Sequence, residues 1–245
     1  MGTGKTTKYF KYAIGEIILV VIGILIALQI NNWNENRKTS NTQEKYLILL
    51  KKEALNNLKS LNKSQDYLIR LEKGQEELLN LLSGDLDTIT DNYIAEVLLA
   101  NYFKTSRFNY QNNVLSELKT TGELKNISND SIRSQLMNQE GIVEKAKGQE
   151  NNVYGLFDKG SDMIDRYGSQ RRITEAYVKR KDYNKIPKSK RVLSNIALVK
   201  MPEFENILLS FMGSTLNLSN NHFPKLEEHF KTLIKLIDKE LYQLK

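Results

Sequence analysis

The sequence contains no cysteine, and this absence excludes several kinds of chemistry at once. Disulfide bonds, thiolate nucleophiles and zinc sites built from cysteine are all ruled out. The redox compartment stays open, because a chain without cysteine is tolerated on either side of a membrane. Histidine is nearly absent as well, with His222 and His229 as the two examples. The chain therefore has few residues for metal binding or for acid–base catalysis.

Proline is also scarce, with three residues in a chain of 245. Leu, Lys, Glu and Gln, which all favour helices, dominate the sequence, and the β-rich composition of a sandwich is missing. We therefore predict an all-α fold, with an N-terminal transmembrane helix followed by an antiparallel, bundle-like helical domain.

The apolar stretch YAIGEIILVVIGILIALQI, at residues 12–30, is the longest in the chain. A helix of about 20 residues spans about 30 Å, the thickness of a bilayer's hydrocarbon core. The stretch is longer than the apolar region of a signal peptide and lacks a small-x-small cleavage site. It predicts an uncleaved anchor at residues 12–31, after a basic leader at 1–11, with Trp33 at the membrane interface. Residues 32–245 then form the helical domain.

Lys and Arg are nearly balanced on the two sides of this span, so the orientation depends on small differences. The free amino terminus adds positive charge to the leader, and a long domain can cross the membrane regardless of its charge. We expect the N-terminus in the cytoplasm and the helical domain outside.

Two polar residues, Glu16 and Gln29, interrupt the predicted span. Gly15 and Gly23 lie near one face of the helix, where small residues allow a second helix to approach closely. This pattern favours pairing with a protein partner or self-association within the lipid bilayer. An intramembrane carboxylate can also carry protons, so the alternative is a subunit of an ion-driven or transport assembly that uses Glu16.

The stretch GEIILVVIGILIALQINNWNE, Gly15–Glu35, resembles the anchor motif of an uncharacterised bacterial family of single-span membrane proteins, a domain-of-unknown-function family. A second stretch, LSELKTTGELKNISNDSIRSQLMN at Leu115–Asn138, is similar to that family's pattern of a helix, a glycine turn and a capped helix. The resemblance implies a bacterial inner-membrane protein with a periplasmic domain. It implies no known activity and no catalytic residues.

Apolar residues beyond the span recur at three- and four-residue steps, which predicts a series of amphipathic helices. Residues 42–82 form the first. Neither proline nor glycine lies between Gly23 and Gly74, so the span can continue straight into this helix, and the polar patch NNWNENRKTSNT is the one place where it could break. The later helices are expected near residues 94–102, 110–121 ending at Gly122, 128–164 capped by Ser128, 202–216, and from Pro224 to the C-terminus. Four glycines in the long fourth helix, at positions 141, 148, 155 and 160, predict a bend or close helix contacts.

The net charge of +7 comes mainly from residues 166–191, which hold ten basic and two acidic residues. We expect this loop-like segment to be either a solvated excursion or a binding surface for an anionic lipid, glycan or protein. The basic residues of that candidate surface are Arg171, Arg172, Lys179, Arg180, Lys181, Lys188, Lys190 and Arg191. Because the charge is confined to this segment, we expect no nucleic-acid partner.

Catalytic motifs are missing from the sequence. His222, Glu228 and His229 are the one set that could suggest a metal site, but their spacing is poor for ligands. We therefore expect no enzyme, no cofactor and no bound metal. The most economical hypothesis is a membrane-anchored interaction or scaffolding protein.

Overall fold

The computed structural model describes residues 3–102, 107–180 and 193–244, with side chains described from residue 14 onward except at residue 180. Every regular element in these ranges is helical. The predicted all-α class is therefore confirmed for the described part of the chain.

The first helix, α1 (Thr3–Leu82), runs for 80 residues without a break. At 1.5 Å per residue it is about 120 Å long. The helix continues straight through the polar patch at 31–42, as the lack of proline and glycine between Gly23 and Gly74 predicts, and it does not break there. Within the patch, Lys38 pairs with Glu35 at 3.3 Å, and the Arg37 guanidinium lies 5.7 Å from the centre of the Trp33 ring.

The remaining helices of the described ranges are shorter than α1. They are α2 (Asp91–Asn101), α3 (Asn113–Thr121), α4 (Asp130–Tyr167), α5 (Gln170–Arg180), α6 (Asn195–Val199), α7 (Pro202–Asn217) and α8 (Phe223–Gln243). The segment expected to be loop-like, 166–191, thus contains the end of α4 and the whole of α5.

The helix ends follow local sequence signals, with one correction. Thr90 accepts a hydrogen bond from the Tyr93 N–H at the start of α2, and Gly122 ends α3 with a left-handed φ of 73°. The N-cap of α4 is Asn129 rather than Ser128, because the Asn129 side chain accepts two helical N–H groups at 3.0 and 3.2 Å.

The sequence suggested two separate C-terminal helices, but the structure joins them. A π-helical turn, Leu218–His222, joins α7 directly to α8. The Phe223 N–H bonds to the carbonyl of Leu218 instead of that of Ser219. This wider turn accommodates Pro224, which has no N–H to donate and whose ring would crowd a regular helix. The freed Ser219 carbonyl accepts a hydrogen bond from the Gln65 side chain at 3.2 Å.

The α7–α8 rod runs antiparallel to both α1 and α4. As residue numbers rise along α1 or α4, the numbers of their partners on the rod fall. The pairs are Lys51–Asp238, Gln65–Ser219 and Gln75–Thr215 for α1, and Asn129–Glu240, Gln139–His229 and Gln149–Ser214 for α4.

Helices α1 and α4 consequently run in the same direction, which corrects the simple antiparallel bundle expected from the sequence. The chain returns from the far end of α1 through α2, an extended strap at residues 107–112, and α3. The strap and α3 fill the space beside α1 and α4, where a fourth helix would lie in a regular bundle.

A single apolar core links these elements, and its largest side chains are aromatic. Near the end of the bundle far from the N-terminus, the buried Tyr102 ring stacks on Phe157 with centroids 5.3 Å apart. A Cβ placed on Gly160 would lie 1.7 Å from the Tyr102 hydroxyl oxygen. Gly160 therefore makes the close contact that the sequence predicted, whereas Gly141, Gly148 and Gly155 have no such neighbour within 4 Å.

Candidate functional site

Residues 14–41 of α1 lie outside the bundle. Every one of them is exposed, including the apolar ones, and Gln43 is the first residue of the helix described as buried. By length and composition this is the one helix in the described ranges that could cross a membrane. Nothing in the described part of the chain packs against this apolar segment, which is long enough to span the hydrocarbon core of a bilayer.

The predicted polar and packing residues of the span are all exposed on this bare helix. Glu16 and Gln29 have exposed side chains, and a Cβ on Gly15 or Gly23 would meet no atom within 4 Å. Close helix pairing at the glycines remains a prediction that needs a second chain. Trp33 is 63 % exposed and closes a shallow hollow with Gln29 at the end of the apolar segment.

At the opposite end of the bundle, α5 packs beside α2. Arg172 holds the two together: its guanidinium donates to the Asn92 side chain at 3.2 Å and to the Leu193 carbonyl at 3.1 Å, and it lies 3.5 Å from Asp91. Arg171 pairs with Glu175 on its own helix at 3.0 Å. Two of the predicted binding residues thus serve the packing of α5.

A small cleft of about 180 Å³ lies between α2 and α5. Its charged lining is mixed, since Arg172 and Lys179 face Glu96 and Glu175. Lys179 is exposed there, and Arg180 is the last residue of α5. Lys181, Lys188, Lys190 and Arg191 lie outside the described residues. The described part of the predicted basic surface is therefore a mixed-charge cleft and not a uniformly positive one.

The strap at 107–112 is held by buried polar side chains that the sequence interpretation did not single out. Asn57 on α1 accepts from the Gln111 N–H at 2.8 Å and donates to its carbonyl at 2.7 Å. Glu150 on α4 is 2 % exposed and accepts from the Phe108 N–H at 2.6 Å. The ammonium of Lys147 bridges the Glu150 carboxylate, at 2.8 Å, and the Phe108 carbonyl.

Glu53 caps α3 from outside that helix. Asn112, the N-cap residue, makes no side-chain cap of its own, and the Glu53 carboxylate accepts from the Val114 N–H at 2.9 Å. Burial raises the pKa of Glu53, although the backbone N–H groups at the start of α3 act in the opposite direction. The one sequence signal for these contacts is the presence of polar residues within the otherwise apolar stripe of α1.

The histidines do not share a surface. His229 is 5 % exposed, lies 3.4 Å from the Gln139 side chain, and has a pKa lowered by burial. Glu228 is exposed, and His222 lies in the π-helical turn. No group of three or more His, Cys, Asp or Glu residues in the described ranges could hold a metal ion.

Comparison with protein-family profiles gives a match over more than half of the chain. The sequence profile of the Family of unknown function (DUF6090) matches residues 16–154, more than half of the chain. The matched range begins in the apolar part of α1, includes the strap with its polar partners, and ends within α4. No curated protein and no solved structure matches the chain.

Proposed function

The chain belongs to this family of unknown function, and we propose that it is a membrane-anchored helical protein that acts by binding another protein. In this proposal residues 12–31 span a bacterial inner membrane, the leader at 1–11 is cytoplasmic, and the bundle lies in the periplasm. The scaffold itself performs no chemistry.

One observation carries the proposal: the unpacked apolar segment continues into the bundle as a single helix. From Asn31 to Asn41 the helix is exposed and mainly polar, and the helical rise from Ile30 to Gln43 is about 20 Å. A bundle on such a stalk stands clear of the bilayer, so that its sides are open to partners. A flexible linker would leave the distance and direction undefined, whereas a continuous helix fixes both.

The absence of cysteine makes the membrane part of the proposal simple to test. Single cysteines are introduced as Thr6→Cys in the leader and Ser210→Cys on the exposed face of α7, and intact spheroplasts are treated with a membrane-impermeant maleimide. We expect labelling of the Ser210→Cys variant alone, and a protein that resists alkaline carbonate extraction. Extraction by carbonate, or labelling of the Thr6→Cys variant alone, would contradict the anchor or its orientation.

The binding part is tested by placing a photo-crosslinking residue at Asn34 in the stalk and irradiating cells. We expect a cross-linked species that co-purifies with the full chain from membranes. A protein that stays monomeric on native gels and forms no cross-link would show that the scaffold proposal is wrong.

The exposed carboxylate of Glu16 supports a second candidate, an ion-coupled subunit of a membrane assembly. Glu16→Gln separates the two. Loss of the cross-linked complex indicates a helix-pairing role, while an intact complex that no longer rescues the phenotype of a deletion strain indicates ion coupling.

A further inference from the structure

The outer face of α1, directed away from the bundle, carries an apolar row that nothing in the described chain covers. Ile48 is 52 % exposed, Leu55 is 45 % exposed and Ile69 is 41 % exposed. These positions are separated by seven and fourteen residues, so they follow a heptad repeat along one side of the helix. The row extends over about 32 Å, the rise of 21 helical residues.

A row of lysines accompanies the apolar row at the same spacing. Lys45, Lys52 and Lys59 are seven residues apart, and all three are exposed. They stand three residues before Ile48, Leu55 and the exposed Asn62, while Asp66 stands three residues before Ile69. None of the three lysines forms an ion pair with another described residue, unlike Lys51 on the bundle side, which bonds to Asp238 at 2.5 Å. The two rows occupy the a and d positions of a coiled-coil seam, with lysine at a and mainly apolar residues at d.

This arrangement excludes a second copy of the chain as the occupant. Two copies anchored in one membrane in the same orientation would pair in parallel, which places each lysine of the a row against its own counterpart. Three consecutive layers of facing ammonium groups disfavour that pairing, a repulsive device that selects against the wrong partner. A lipid bilayer does not fit as the occupant either. A helix that crosses the membrane and continues straight holds its outer face roughly perpendicular to the membrane surface, so the face cannot lie on the lipid.

We propose that the outer face of α1 binds a parallel amphipathic helix of a partner protein, with acidic residues opposite Lys45, Lys52 and Lys59 and apolar residues opposite Ile48, Leu55 and Ile69. The d row continues through Asn41, Asn34 and Ala27 toward the apolar segment, again in steps of seven. The partner that fits best is therefore itself a membrane-anchored protein whose helix leaves the bilayer beside α1. This inference deepens the proposed function and rests on it for the membrane origin of the partner.

The face itself can be tested without the natural partner. The probes are two synthetic 28-residue helical peptides with leucine at every d position, one with glutamate and the other with lysine at every a position. Binding of each fluorescent peptide to the full chain in nanodiscs is measured by anisotropy. The receptor variants are Lys45→Glu/Lys52→Glu/Lys59→Glu and a matched control, Lys225→Glu/Lys235→Glu/Lys239→Glu, which makes the same charge change at exposed positions of α8.

We expect the glutamate peptide to bind the natural chain and the α8 control, and to bind the α1 variant about tenfold or more weakly. The α1 variant should instead bind the lysine peptide. Raising the salt concentration to about 1 M should weaken the glutamate peptide, since screening then acts within about 3 Å. Equal binding of the two peptides to the natural chain, or equal loss in the α1 and α8 variants, would overturn the proposal.

A photo-crosslinker at Leu55 in cells supplies the second measurement. The proposal expects a cross-link to an acidic helical segment of another membrane protein, identified by mass spectrometry. A cross-link to a second copy of this chain, or to an acidic glycan, contradicts it. If the chain resists carbonate extraction and cross-links at Asn34 but does not bind the glutamate peptide, the proposed binding face of α1 is refuted and the membrane anchor is not. If the chain is soluble but binds the glutamate peptide, the anchor is refuted and the binding face is not.

Discussion

Replacing Gly160 by alanine tests the close packing at the far end of the bundle. The new methyl group would lie 1.7 Å from the Tyr102 hydroxyl oxygen and 2.6 Å from Cζ of that ring. The ring has no room to retreat, because it is fully buried between Phe157 at 5.3 Å and Phe211 at 5.6 Å between centroids. Overpacking of this kind costs about 1–3 kcal/mol, and the better helix propensity of alanine returns up to about 1 kcal/mol.

The expected net loss is about 1–2 kcal/mol, which lowers Tm by about 3–6 °C in a domain of this size. Thermal unfolding of the full chain in detergent, followed by circular dichroism, measures the shift. Gly141→Ala, Gly148→Ala and Gly155→Ala are matched controls on the same helix, because their new methyl groups meet nothing within 4 Å. Each control should gain about 0.4–1 kcal/mol.

A second variant ties the loss to the hydroxyl group. Tyr102→Phe alone should cost about 1 kcal/mol, because the hydroxyl donates to the Phe157 carbonyl at 2.8 Å. In the Gly160→Ala background the same change also removes the nearest clashing atom. The double variant should therefore lose less stability than the sum of the losses in the two single variants. The reasoning is refuted if Gly160→Ala stabilises the chain as much as the three control substitutions.

Three further predictions concern the buried polar groups. Glu150→Ala should cost about 3 kcal/mol in chemical unfolding, because it leaves the buried Phe108 N–H without its acceptor and removes the carboxylate that pairs with Lys147. Glu144→Ala, exposed on the same helix, should cost little. His229 has its pKa lowered by burial, so its contribution to stability is lost as the pH falls below 6.5 through its folded pKa; His229→Gln should flatten that slope, and an unchanged slope would contradict the assignment. Glu53 has a raised pKa, so its ionised form is penalised in the folded state above that pKa, and the penalty disappears as the pH falls toward 4.5; Glu53→Gln should raise Tm at pH 7 relative to the natural chain, with a difference that vanishes in acid.

Helix periodicity and composition were sufficient to predict the class of the fold and most of its elements. The apolar stripe of α1 and the Gly122 terminator are local signals, and the structure confirms both of them. The joining of α7 to α8 was not predictable in this way, because Pro224 normally marks a boundary. Only the π-helical turn, supported by Gln65 from a distant part of the chain, allows the rod to continue.

The direction of the helices was harder to predict than their existence. Counting helices suggests a bundle whose helices alternate in direction. The strap at 107–112 instead carries the chain back along α1 as a non-helical segment. A segment outside helices and sheets has no ladder of backbone partners, so its backbone groups must be satisfied by side chains or by solvent. Asn57 lies 54 residues from its partner in the strap, and Glu150 lies 42 residues from its own. No local sequence signal connects either residue with the strap.

The buried polar residues of α1 also bear on what its outer face can do. Glu53 and Asn57 hold α3 and the strap, while Gln65 and Gln75 hold the α7–α8 rod, so each has a specified partner. Sliding or rotating α1 by one residue would unpair all four, and the cost of unsatisfied buried groups opposes such a shift. The bundle therefore fixes the rotation of α1 about its own axis.

Because the same helix continues unbroken into the apolar segment, the rotation fixed in the bundle is transmitted to the segment proposed to span the membrane. The helix face that carries Ile48 and Leu55 is then held at a constant angle to the face that carries Gly23 and Ala27. A partner that pairs with α1 inside the bilayer meets the lysine and apolar rows outside it without any rearrangement. Such a preformed surface lowers the entropic cost of binding, and this is the physical advantage that an 80-residue helix offers over an anchor joined to its domain by a flexible linker.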